Sequence, residues 1–193
     1  MLMAENKVAL MNVALTRLGA PKISNEDELT REAEVMTTLF DPVYENILSQ
    51  TNWNFAIVDI ELGKTTTTPK DATFLNTFTL PSDYFNSVRV YDNSGITIEN
   101  FALQSGEILC NSNRVFLKYV QKVSVEKLPA WFTMFLTLQL ALSAQEALIG
   151  IGTVQDRLAS ELEQQRLFAF KLNQQEDTIA DNIAPSTYVS IRN

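Results

Sequence analysis

The chain has 193 residues, 46% hydrophobic, 20% charged and 9% aromatic, enough for one sizeable core or a core with an appendage rather than two full domains. Fifteen Lys and Arg face 23 Asp and Glu, a formal charge of −8, which argues against a surface that binds by neutralising phosphates. Histidine is absent and Cys110 is the single cysteine, which removes Ser-His-Asp and Cys-His catalysis, zinc sites built on His or paired Cys, and any intrachain disulfide.

Carboxylate chemistry, a Ser-Lys pair or a carboxylate-held hard cation remain as enzymatic routes. No cofactor is implied. Residues Met1–Lys7 lack an apolar core with a cleavage site, so the expectation is an intracellular, reduced setting.

In chain order, Val8, Met11, Leu15 and Leu18 recur at helical spacing and predict a first helix over about 4–18. Gly19 suits its left-handed closure and Pro21 cannot continue it. Ser24-Asn25 followed by Glu26, Asp27 and Glu28 predicts the cap of a second, long helix reaching about Gln50, with Ala33, Met36, Phe40, Val43 or Tyr44, and Ile47 facing the core. Pro42 should kink or break it.

From Asn52 to Val125 short runs rich in Val, Ile, Thr, Phe and Tyr predict antiparallel strands near 55–62, 73–79, 87–91, 96–99, 106–110 and 115–120. Asp92-Asn93-Ser94-Gly95 reads as a turn, and Lys64–Pro69 as an exposed loop or hairpin tip. Helical period returns over 129–150 and 154–175, the latter with Val154, Leu158, Leu162, Ala169 and Leu172 on one face and Gly150-Ile151-Gly152 as the hinge. Leu128–Gln145 holds no charge and reaches the length of a membrane span. Its Thr133, Thr137, Gln139, Ser143 and Gln145, with no flanking basic cluster, instead predict a buried central helix.

The predicted fold is therefore mainly α with a β insertion: a four-helix bundle from both chain ends (1–51 and 127–176), a small antiparallel β region in the middle (52–126) and an extended C-terminal arm (177–193). Internal repeats and low-complexity tracts are absent.

Candidate functional residues are few. Glu26, Asp27, Glu28, Glu32 and Glu34 could supply a glycosidase-like carboxylate pair, but capping and solvation account for them. Lys118, Lys122 and Lys127, with Glu126 among them, read as a solvated face, and Cys110 as a small buried hydrophobe. Trp53 and Phe55 mark the change from helix to strand, and Leu80 and Pro81 open a turn in which Asp83 can bond nearby amides. Tyr188, Val189 and Ile191, interleaved with Ser190 and Arg192, are candidate intersubunit or portal contacts.

Taken in order, several segments resemble the tail tubular protein A family, the head-to-tail adaptors of short-tailed bacteriophages. The likeness rests on Asn12-Val13-Ala14-Leu15-Thr16-Arg17-Leu18-Gly19 with Pro21 and Ser24, then Asn52-Trp53-Asn54-Phe55 and Leu62. It continues through Leu80-Pro81-Ser82-Asp83-Tyr84 and Leu128-Pro129-Ala130-Trp131-Phe132, which opens a helix ending at Gly150. The segment after Asp177 matches least.

The resemblance implies a non-enzymatic virion protein of the tail neck, assembled in the host cytoplasm. It implies a homo-oligomeric ring, typically a dodecamer, docked below the portal protein and carrying a tail nozzle of the tail tubular protein B kind or another tail protein. Genomic DNA would pass through its channel without specific binding, which an acidic or neutral lumen favours. Two other readings stay open: a virion-associated cell-wall hydrolase, and an assembly chaperone.

Overall fold

The computed structural model describes residues 2–66, 69, 71–150 and 153–183. These form four helices, α1 (Leu2–Leu18), α2 (Arg31–Ser49), α3 (Ala130–Ile149) and α4 (Thr153–Ile183). Six strands lie between α2 and α3: β1 (Ile57–Glu61), β2 (Asn76–Thr79), β3 (Tyr84–Tyr91), β4 (Ala102–Gln104), β5 (Glu107–Cys110) and β6 (Phe116–Gln121). They divide into two compact units, a helical one of residues up to Ile47 with those from Leu128 onward, and a β unit of Leu48–Lys127.

In the helical unit, α1 closes as the glycine predicts. Gly19 takes φ +71°, its N–H donates to the Thr16 carbonyl (3.2 Å) and the Ala20 N–H reaches back to the Leu15 carbonyl (3.0 Å). Val8, Met11, Leu15 and Leu18 are all buried. The second helix starts later than its capping signal suggests. Thr30 is the cap, its hydroxyl accepting the Ala33 N–H at 3.3 Å, while Ser24–Glu28 fold as a turn of their own. Helix α2 then runs unbroken through Pro42, with Ala33, Met36, Phe40, Val43, Tyr44 and Ile47 buried.

Helix α3 packs against both α1 and α4. It is long and apolar enough to cross a membrane, with mean hydropathy 1.3, but half of that window is buried inside the protein. Phe132, Phe135, Leu136, Leu140, Ala141 and Ala144 are fully enclosed, as suits the middle of a packed helical layer. Gly150 ends it at φ +78°, donating to the Gln145 carbonyl at 3.2 Å.

In the β unit two three-stranded antiparallel sheets, ordered β1-β6-β3 and β2-β5-β4, share one apolar core. Val90, Leu117 and Tyr119 contribute from the first sheet and Phe78, Ile108 and Cys110 from the second. A hairpin turn sets the β4–β5 register, and a second tight turn follows β3. Ser105 (φ +53°) and Gly106 (φ +79°) form a two-residue connection between β4 and β5. At Asp92–Gly95 the Asp92 carboxylate accepts the Ser94 and Ile96 N–H groups at 2.8 and 3.0 Å.

These observations correct the predicted architecture. The chain is a mixed α/β protein of four helices and two three-stranded sheets, not a mainly α four-helix bundle carrying a small β region. The β part has its own closed core, which short alternating runs could not disclose because pairing partners lie far apart in sequence. Within it, 96–99 is no strand and touches β3 through a single bridge at Thr97, while β4 went unpredicted. The extended arm is also corrected at its start: α4 continues to Ile183, since neither Gly nor Pro interrupts the chain between Thr153 and Pro185. Residues 184–193, with Tyr188, Val189 and Ile191, lie outside the described residues, as do Ile151 and Gly152 of the hinge.

Candidate functional site

Of the acidic residues after Ser24, Glu26 and Glu28 engage local partners through their carboxylates and Asp27 through its backbone. Glu28 Oε2 accepts the Ser24 N–H at 2.6 Å, Asn25 Oδ1 accepts the Asp27 N–H at 3.0 Å, and Glu26 pairs with Lys7 at 3.2 Å. Lys7 also reaches Asp41 (3.4 Å) and lies over the Phe40 ring (4.9 Å), so this group ties α1 to α2. Glu32 and Glu34 lie in the first turn of α2, where acids favour its dipole. Among the described residues no cluster of three or more His, Cys, Asp or Glu is placed to hold a metal.

Cys110 is fully buried in the β core, and desolvation pushes its thiol pKa up, which suppresses the reactive thiolate. Trp53 is likewise fully enclosed, tilted against Phe55 at 6.4 Å. Leu80 packs on the same β core, and the Pro81 carbonyl accepts the Tyr84 N–H at 3.1 Å, which starts β3. Asp83 does not bond its local amides through its side chain. Its carboxylate accepts the Tyr119 hydroxyl at 3.0 Å and its carbonyl accepts the Lys122 N–H at 2.8 Å, locking β3 to β6.

Sequence reading missed two arrangements. At the C-terminus of α1, Arg17 pairs with Glu161 (3.0 Å), which also receives Arg157 (3.3 Å), and Arg157 donates to the Arg17 carbonyl (3.3 Å). This triad joins α1 to α4 across 144 positions, a distance no local motif announces.

The second lies on the face of the β1-β6-β3 sheet turned away from its core. Arg89 lies 4.9 Å over Tyr91, Tyr91 stacks on Phe116 at 5.4 Å and 18°, and Arg114 lies 5.6 Å over Phe116. Arg114 makes a two-pronged bond to Glu61 (2.7 and 2.8 Å), which holds that carboxyl below its ordinary pKa. Tyr91 donates to Asp59 at 2.7 Å, and that bond raises its phenol pKa. Alternation of Arg89 with Tyr91, and of Arg114 with Phe116 and Lys118, carried the signal. It needed the register that sets Tyr91 opposite Phe116 and Arg89 opposite Lys118. Lys118 lies on this same face, opposite Arg89.

Large apolar side chains are exposed on both units. Leu29, Leu167 and Phe168 project from the helical unit, and Leu75 and Ile96 from the β unit. A cleft of about 230 Å³ between α3 and α4 is lined by Leu142, Ser143, Gln145, Glu146, Gln155 and Ala159. In comparison with known proteins, no family model and no curated protein matches the chain.

Proposed function

We propose that this chain is a structural, non-enzymatic subunit, the head-to-tail connector of a short-tailed phage virion. Copies assemble into a ring below the portal, extend the DNA channel and present a platform to the next tail component. The observation that carries this reading is the set of apolar side chains left in solvent on both units, headed by Leu29, Leu75 and Ile96. A monomer gains nothing by exposing them, whereas repeated contacts around a ring give stability by multivalency.

The segments that resemble tail tubular protein A add support, because they fall on the structural joints: the close of α1, the step into β1, the start of β3 and the start of α3. The test is mass in solution. Analytical ultracentrifugation of the full chain, alone and with the portal protein of the same phage, should show ring formation at least when the portal is present. A chain that stays monomeric with both portal and tail proteins overturns the reading.

A further inference from the structure

The aromatic row on the β1-β6-β3 sheet is held rigid before anything binds it. Arg89 donates through Nε to the Thr97 hydroxyl at 2.9 Å and through Nη2 to the Gly95 carbonyl, and Arg114 spends Nε and Nη2 on Glu61. The Nη1 of each arginine has no partner among the described residues and is left for an acceptor from outside. Arg89 and Phe116 lie against Tyr91, and Tyr91 and Arg114 against Phe116. What fits is an apolar group on the ring edges with carboxylates beside it, and fixed Arg and Tyr side chains lose little entropy in taking it.

The same chain carries a group of that description. Leu29 is 103% exposed, so nothing in its own molecule covers it, and Asp27 and Glu28 precede it. Its loop is fixed by the Thr30 N–H donating to the Glu28 carbonyl (2.9 Å) and by the Ser24 and Asp27 bonds. Local charge favours the match: Asp27 and Glu28 precede Leu29, while Arg89 bonds only neutral oxygens, the Thr97 hydroxyl and the Gly95 carbonyl.

We propose that Leu29, with the carboxylates of Asp27 and Glu28, docks on the Arg89-Tyr91-Phe116-Arg114 row of a second copy. Each molecule then gives a knob to one neighbour and receives one from the other, a head-to-tail contact of the kind that closes into rings. This rests on the reading that the chain assembles with itself.

The experiment compares four full-length proteins by analytical ultracentrifugation, with and without portal: the natural chain, Leu29→Asp, the double variant Arg89→Ala/Arg114→Ala, and Val13→Asp as an exposed change off the row. Circular dichroism and melting establish that each is folded. Leu29→Asp and the double variant should each weaken self-association at least about tenfold, one decade in the dissociation constant, and Val13→Asp should leave it unchanged. Mixing Leu29→Cys with Arg89→Cys under oxidation should give an intermolecular disulfide, with buried Cys110 silent. Folded Leu29→Asp or double variants that assemble like the natural chain overturn the contact. Single-stranded oligonucleotide binding that is lost in the double variant would reassign the row and also overturn it. A natural chain that never self-associates fails the connector reading itself.

Discussion

Tyr119 shows what a single side chain contributes to the β unit. It is 3% exposed, sits in the sheet core, stacks on Tyr84 at 6.0 Å and donates its hydroxyl to Asp83. Burial first, then the bond to the Asp83 carboxylate, push its phenol pKa up to about 12. The unfolded phenol titrates near about pH 10. Between those two values the unfolded chain has released a proton that the folded one keeps, so stability falls as pH rises. Tyr119→Phe should cost about 1–2 kcal/mol at neutral pH through the orphaned carboxylate. The stability gap between the natural chain and the variant should be constant below about pH 10 and shrink above it. Denaturant melts of the pair across that range check this, and a gap that widens with pH would contradict it. Cys110 acts in the same alkaline direction in both proteins, so the difference isolates the phenol. At this scale the sequence disclosed Cys110 as a buried hydrophobe, since size and apolarity decide burial. It could not disclose that Asp83 meets Tyr119, 36 positions away, because pairing depends on register.

Among the elements, α2 is where local rules and packing compete. Pro42 lacks the N–H that would bond the Thr38 carbonyl, yet the helix continues on both sides of it. Val43, Tyr44 and Ile47 beyond it remain buried, and Tyr44 meets Phe132 of α3 edge-on at 6.2 Å. Tertiary burial on the far side holds together a helix that propensity alone would end. Pro42→Ala restores the missing donor at an exposed position, so it should stabilise the protein by roughly 1–2 kcal/mol, the helical gain less the stiffness lost from the unfolded chain. A rise in melting temperature checks it. A fall would mean that the backbone geometry Pro42 imposes is required to seat Tyr44 on Phe132. Helix existence and core faces were legible because period and termination signals are local, as at Gly19 and along Ala33–Ile47. The start of α2 lies later than the signal because Asn25 and Glu28 spend their side-chain oxygens on a turn, leaving Thr30 to cap the helix.

At the scale of the whole molecule, charge is distributed unevenly, a net −7 on the helical unit and −1 on the β unit. Composition gave the total of −8 but not this partition, which required knowing that the chain returns to the helical unit after Lys127. The partition makes salt a probe of assembly geometry. If helical units met side by side, like charges would oppose contact, and added salt would strengthen association by screening them. If instead the acidic loop at Leu29 meets the arginine row of the next copy, opposite charges drive the encounter and salt weakens it. Raising salt from about 50 mM to about 500 mM shortens the screening length well below the span of either surface. The head-to-tail contact therefore predicts a several-fold weaker self-association at the higher salt, read as a shift in the ultracentrifuge isotherm. The double variant Arg89→Ala/Arg114→Ala should lose most of that salt dependence along with its affinity. Association of the natural chain that tightens with salt would instead place acidic helical surfaces against each other and exclude the arginine row as the main contact.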